Sequence, residues 1–257
     1  MHVKELFNIE GKVALVTGGS RGLGLQIAQA LGEMGCKIAI TARKADELDI
    51  ARRHFEAQGI DILAVVNDLT QTSDIPSLVE TVVDRFGPID ILVNNAGASW
   101  GAPAEDYPDH AWHKVMDLNV DAIFFLTREV GRRCMIPRSQ GKIINIASVA
   151  GLRGSATTVT TIAYNTSKGA LVNFTRALAS EWGKYNINVN AICPGFFPSK
   201  LSAGLLEQVR ETVINRAPLH RIGGDDDLKG AAVFLASEAS RHITGQNLAV
   251  DGGISSV

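Results

Sequence analysis

The sequence predicts a doubly wound α/β domain, a mainly parallel seven-stranded sheet with helices on both faces. Short runs rich in Val and Ile alternate with longer segments whose apolar residues recur every three or four positions, as repeated strand–helix units require. No low-complexity tract, linker or charge block interrupts this alternation across the 257 residues, so one domain over 1–257 is expected.

The strands read as Val13 to Thr17, Lys37 to Thr41, Ile62 to Val66, Ile89 to Val93, Lys142 to Ala147, Ile187 to Cys193 and Asn247 to Val250. Between the first two, Leu23, Ile27, Leu31 and Met34 make one apolar helix face, and Gly35 ends that helix. The third strand runs through Asp68 and Thr70 into a helix carrying Val79, Val82, Val83 and Phe86, with Pro76 tolerated in its first turn. A later helix is marked by Ala163, Leu171, Phe174, Leu178 and Trp182. Right-handed crossovers wind such a series into a sheet that binds ligands beyond the carboxyl ends of its strands.

Composition narrows the partners. A net charge of −2 makes no strong field for nucleic acid or an anionic membrane, so a small-molecule partner is expected. Cys36, Cys134 and Cys193 form no CxxC pair and lie in apolar surroundings, which reads as core filler in a reducing compartment. The N-terminal stretch carries no apolar signal region and no run is long enough to span a bilayer, so a cytoplasmic location is expected. No metal cluster is indicated.

Immediately after the first strand comes Thr17-Gly18-Gly19-Ser20-Arg21-Gly22-Leu23-Gly24, which opens a helix. Gly18 permits the tight turn, and Gly22 and Gly24 let backbone and helix approach a pyrophosphate at the helix N-terminus. This TGxxxGxG spacing resembles that of the short-chain dehydrogenase/reductase family, and the resemblance extends along the whole chain. Asp68 stands where members contact the adenine, with Leu69 beside it. Asn94-Asn95-Ala96-Gly97 follows the fourth strand, Asn119 lies in the next long helix, and Ser148 follows the fifth strand. Tyr164 and Lys168 form YxxxK, and Pro194-Gly195 follows the sixth strand. The resemblance implies a Rossmann-type domain, an oxidoreductase acting on CH–OH groups, and a homotetramer packed through the segments around Ile243 to Gln246 and Val250 to Gly253.

At the end of the second strand Ala42 occupies the position where NAD-binding relatives carry Asp, and Arg43 follows directly. Arg43 and Arg21 supply planar cations suited to a ribose 2′-phosphate, so NADP(H) is the expected cofactor. Tyr164 and Lys168, four apart, project from one helix face, and a neighbouring ammonium lowers the pKa of a phenol that is otherwise too weak a base. The resemblance implies that Tyr164 transfers the proton, that Lys168 also binds the nicotinamide ribose, that Ser148 bonds the reacting oxygen and that Asn119 holds a water linking Lys168 to solvent. Ser155 competes for the serine role, since the interval from Ser148 to Tyr164 is longer than in most relatives. Ser148 is preferred because it ends a strand.

The segment from about 194 to 216 is expected to cover the substrate, with Ser199 placed to hold the nicotinamide carboxamide. Phe196, Phe197 and Leu201 suit an acyl chain, Arg153 and Lys200 suit a carboxylate or phosphate, and Trp100 is a further pocket residue. Reduction of a 3-oxoacyl thioester is placed first on the apolar lid, and sugar-acid dehydrogenation of the gluconate 5-dehydrogenase kind second. A non-catalytic NADP-binding sensor or structural subunit is the reading from another class; cofactor binding alone requires none of Asn119, Ser148, Tyr164 and Lys168 together.

Overall fold

The computed structural model describes residues 1–154, 159–200 and 202–257. Seven strands form one sheet in the order β3-β2-β1-β4-β5-β6-β7, and every pairing is parallel. They are β1 Val13–Thr17, β2 Lys37–Ala42, β3 Ile62–Val66, β4 Ile91–Asn94, β5 Gly141–Ile146, β6 Ile187–Pro194 and β7 Asn247–Val250. The expected strands all form, with ends that move by one or two residues. The largest shift is at β4, where Asp90 serves as an anchor ahead of the ladder. Its carboxylate accepts from Val13 N at 3.0 Å and from Arg138 Nη1 at 2.9 Å.

The described helices are α1 Val3–Leu6, α2 Gly22–Glu33, α3 Ala45–Glu56, α4 Ile75–Phe86, α5 Asp109–Met116, α6 Ala122–Val130, α7 Ile162–Trp182, α8 Ala203–Arg216 and α9 Lys229–Ala236. Alternate residues of each strand feed opposite layers because successive Cβ atoms point to opposite faces. Ala14 and Val16 of β1 join Ile27, Leu31, Leu48, Phe55, Leu228 and Leu235 beneath α2, α3 and α9. Val13 and Leu15 join Leu78, Val82, Leu126, Val130 and Leu178 under α4, α6 and α7. Strands β1, β5 and β6 are buried along their full length, including the polar residues Lys142, Asn145, Asn188 and Asn190. Met34 departs from expectation: α2 stops at Glu33, so Met34 falls beyond the apolar face and is 38% exposed. Gly35 follows at φ +86°, the left-handed position that terminates a helix.

The order of strands reverses between β1 and β4. Crossovers leave β1 toward β2 on one side and β4 toward β5 on the other, so a cleft opens above the carboxyl ends of β1 and β4. Among the described residues no helix is long and apolar enough to cross a membrane.

Candidate active site

The cleft is held open by the way β1 joins β4. Thr17, the last residue of β1, accepts at Oγ1 from Asn95 N at 2.9 Å and Ala96 N at 3.0 Å. Asn95 returns bonds from Nδ2 to the carbonyls of Thr17 and Gly18 at 2.8 and 3.2 Å. Gly18 takes φ +62°, which an L side chain rarely adopts. Gly24 is required for packing instead: a Cβ there would stand 2.3 Å from Gly18 O and 2.4 Å from Asn95 Nδ2. Gly24 thus allows the close approach of helix and turn expected of it, while lying behind the wall of the cleft. Helix α2 starts at Gly22 with Arg21 extended at its N-cap and no side-chain cap, leaving its first N–H groups for an anion.

The cleft has a volume of about 1050 Å³. Ser20, Arg21, Gly22 and Leu23 line one end together with Arg43, Asp68 and Leu69. Asn95, Ala96, Gly97, Ser148, Tyr164 and Lys168 line its floor, and Pro194, Gly195 and Ser199 its far side. Of the described catalytic and cofactor residues selected from the sequence, Gly24 and Asn119 stand behind the wall. Asp68 Oδ1 accepts from Thr70 N and Oγ1 at 3.1 and 2.8 Å, a local turn that fixes the carboxylate at the rim. Sequence reasoning missed Thr41 and Asn67. Both line the cleft, and Thr41 Oγ1 and Asn67 Oδ1 are buried atoms with no hydrogen-bond partner. Their position at the carboxyl ends of β2 and β3 was the signal available, because polar side chains there face the ligand crevice.

The YxxxK pair sits on α7, where four-residue spacing stacks both side chains on one face. Lys168 is 4% exposed, donates from Nζ to Ile146 O at 2.7 Å, and lies 5.6 Å from the centre of the Tyr164 ring. Burial pushes its ammonium down from 10.5 to about 8. Burial also raises the Tyr164 phenol above its ordinary value of 10, while a hydrogen bond with the Ser148 side chain acts the other way. The lowering expected from Lys168 is thus supplied by Ser148, and desolvation outweighs it. Ser148 ends its extended segment as the N-cap of a short turn, its Oγ accepting from Ala150 N at 3.1 Å. The competing Ser155 falls outside the described residues.

Asn119 is fully buried in a π-helical turn, Asp117–Asp121, inserted between α5 and α6. Such turns reaim side chains that a regular helix would direct elsewhere. Its Nδ2 donates to Ala98 O and Ser167 Oγ, both at 2.9 Å, and its Oδ1 accepts from Ala98 N at 2.8 Å. A Cβ on Gly97 would meet Asn119 Oδ1 at 3.3 Å and Lys168 Nζ at 3.7 Å, so the three residues converge. With both amide hydrogens in use, the side chain clamps the segment beyond Gly97, and its Oδ1 keeps one further lone pair.

The substrate side differs most from expectation. Phe196 and Phe197 both line the cleft as expected, but Phe197 is 4% exposed and also belongs to the main core, with its ring filling the space a Cβ on Gly223 would need. Phe196 packs against Val213, Ala217 and Ile254, and Leu201 lies outside the described residues. Trp100 is not on the cleft wall; it packs edge-on to His110 with Lys114 Nζ 5.0 Å from its ring. Lys200 reaches Glu47 Oε1 at 3.8 Å, which places it at the Arg21 end. Arg153 remains on the cleft wall with Tyr164 and Ser148; its Nη1 donates a long bond to Val257 O at 3.4 Å, and its charge acts on the Asp251 carboxylate. Ser199 is tied to Ser202 by reciprocal bonds, and Gly22 faces it with 3.7 Å between a built Cβ and Ser199 Cβ.

Residues 18–255 match the family described as enoyl-(acyl carrier protein) reductase. The chain is 39% identical over 252 residues to gluconate 5-dehydrogenase of Gluconobacter oxydans, with 97% of each chain covered. It is 38% identical over 252 residues to the rhamnolipid-biosynthesis 3-oxoacyl-[acyl-carrier-protein] reductase of Pseudomonas aeruginosa, covering 96% of this chain and 97% of that one. Its fold superposes with a TM-score of 0.94 and 36% identity, over the full length of both chains, on a gluconate 5-dehydrogenase of Burkholderia cenocepacia crystallised with NADP and tartrate. Motifs in order, a seven-stranded parallel sheet and full-length likeness agree: the chain belongs to the short-chain dehydrogenase/reductase family of oxidoreductases.

Proposed function

We propose that the chain is an NADP(H)-dependent enzyme that interconverts a secondary alcohol and a ketone on a small sugar acid of the gluconate class. The observation that carries the reading is one cleft with Tyr164, Ser148 and Lys168 on its floor and Arg153 on its wall. The acyl-thioester reading stood on an apolar lid; Phe196 and Phe197 do line the cleft, but Phe197 is 4% exposed with its ring committed to the core. Sugar-acid chemistry therefore moves ahead, in keeping with the gluconate dehydrogenases among its relatives and with tartrate, a hydroxy dicarboxylate, in the Burkholderia structure.

The residues present fit the cofactor. The first turn of α2 receives the pyrophosphate, Arg21 and Arg43 the 2′-phosphate, and Asp68 and Leu69 the adenine. Asn95, Ala96 and Gly97 shape the floor, and Ser199 meets the carboxamide. Thr41 Oγ1 and Asn67 Oδ1 are further unpaired polar atoms on the same wall. When bound, NADP(H) supplies or accepts the hydride. In reduction Tyr164 Oη gives its proton to the substrate oxygen, and in oxidation it takes one back. The Ser148 hydroxyl donates to the same oxygen. Lys168, with an ammonium near 8, lies below the raised phenol and so returns the proton that Tyr164 loses. Asn119 positions the floor through Ala98.

Exposed Phe124, beside Phe125 and Phe174, and exposed Leu248 on β7 supply apolar surface for the homotetramer, and three buried free thiols suit a reducing cytoplasm. A substrate panel tests the reading. 5-Ketogluconate should be reduced with NADPH, and Arg153→Gln should raise its Michaelis constant about tenfold or more, the loss of one charge-assisted bond. Turnover of 3-oxoacyl thioesters with 5-ketogluconate inert would restore the acyl reading.

A further inference from the structure

The end of the cleft where the 2′-phosphate is placed already holds an anion belonging to the protein. Glu47 lies in the first turn of α3, and its Oε1 gathers cations from three separate segments. Arg21 Nη1, from the glycine turn, stands at 2.6 Å; Lys44 Nζ, from the exit of β2, at 3.4 Å; and Lys200 Nζ, from the covering segment, at 3.8 Å. All four residues line the cleft. An acid in the first turn of a helix is ordinary, because it complements the helix dipole. That role explains neither a bond to Arg21, which is 26 residues distant, nor a contact with the covering segment. The Glu47 side chain is only 21% exposed, so solvent screens this cluster less than an open surface pair.

We infer that Glu47 sets cofactor selectivity by competing with the 2′-phosphate for Arg21 and its neighbouring cations. The inference rests on the placement of the 2′-phosphate at Arg21 and Arg43. A phosphate arriving there meets an arginine whose guanidinium is already engaged. Either Arg21 exchanges the carboxylate for the phosphate, or two anions share one set of cations, and both outcomes weaken the phosphorylated cofactor. The non-phosphorylated cofactor does not incur this loss, since Glu47 keeps its ion pairs while the ribose hydroxyl binds. Glu47 thus narrows the preference that Arg21 and Arg43 create, leaving the enzyme able to use both cofactors. Through Lys200 it also ties the covering segment to the cofactor end of the cleft.

The test uses adenosine 2′,5′-bisphosphate and adenosine 5′-monophosphate as probes, with calorimetric titration of the whole protein. Glu47→Gln keeps the shape and removes the charge. It should tighten the bisphosphate about five- to tenfold, leave the monophosphate within about twofold, and widen the NADPH-to-NADH ratio of dissociation constants by the same factor. Glu47→Ser, which cannot bridge the cations at all, should behave the same way and guards against an effect peculiar to Gln. Arg21→Ala and Arg43→Ala are measured in parallel. If these weaken the bisphosphate selectively while both Glu47 variants leave it unchanged or weaken it, Glu47 merely organises the cations and the inference is overturned. If neither arginine change affects the bisphosphate, the placement of the 2′-phosphate is itself wrong and the inference falls with it.

Discussion

Replacing Lys168 by Met isolates the energetic consequence of burying an ammonium for catalysis. The wild-type group titrates at about 8 in the folded chain against an ordinary value of 10.5, because burial disfavours its charge. At about 1.4 kcal/mol per unit, the folded state loses roughly 3 kcal/mol at neutral pH, where both folded and unfolded chains carry the proton. Above pH 8 the folded chain sheds the proton before the unfolded chain does, so wild-type stability rises with pH until about 10.5. Methionine has similar length and no charge, and lacks this pH dependence. It also leaves the Ile146 carbonyl without its donor, a loss of about 1–3 kcal/mol that does not vary with pH. Urea unfolding of both proteins at pH 7, 8, 9 and 10 separates the two terms. The stability difference, Met variant minus wild type, should fall by about 2–3 kcal/mol between pH 7 and pH 10, all other titrating groups cancelling. A flat difference would mean that Lys168 carries no burial penalty in the folded protein, and the argument that its depressed ammonium returns protons to Tyr164 would lose its basis.

Tyr164→Phe should lower turnover by about two to four orders of magnitude and leave the NADPH dissociation constant within about threefold, since only the proton-transferring hydroxyl is removed; fluorescence titration and steady-state assays check both. Arg43→Asp should move preference from NADPH toward NADH by about 10- to 100-fold in relative kcat/KM, as a carboxylate repels the 2′-phosphate and accepts from a ribose hydroxyl. The rate of alcohol oxidation should climb as pH rises toward the raised phenol of Tyr164, while ketone reduction falls once Lys168 deprotonates above about 8; a pH–rate profile in each direction reads this.

The sequence by itself determined the sheet and the reaction. Apolar runs buried on both faces, as in β1 and β4, have no alternative environment in a protein of this kind, so strand positions followed from pattern alone. The TGxxxGxG turn and YxxxK are local spacings: one needs a positive φ at Gly18, the other a single helix face, and both conditions are settled within a few residues. What remote segments bring together was decided by the tertiary structure. Gly24 reads as a residue of the glycine turn, and only the fold shows that Asn95, from beyond β4, packs against it. Asn119 is legible in the sequence only through its implied role, and the structure adds that Ala98 and Ser167 hold its amide. Phe197 lines the pocket but also joins Leu228 and Ala232 in one core, and Lys200 lines it while reaching Glu47. Burial and partnership are properties of three-dimensional neighbourhoods, and the substrate-side residues depend on them most, because that surface is assembled from β4, β5, α7 and the covering segment with no shared local pattern to announce it.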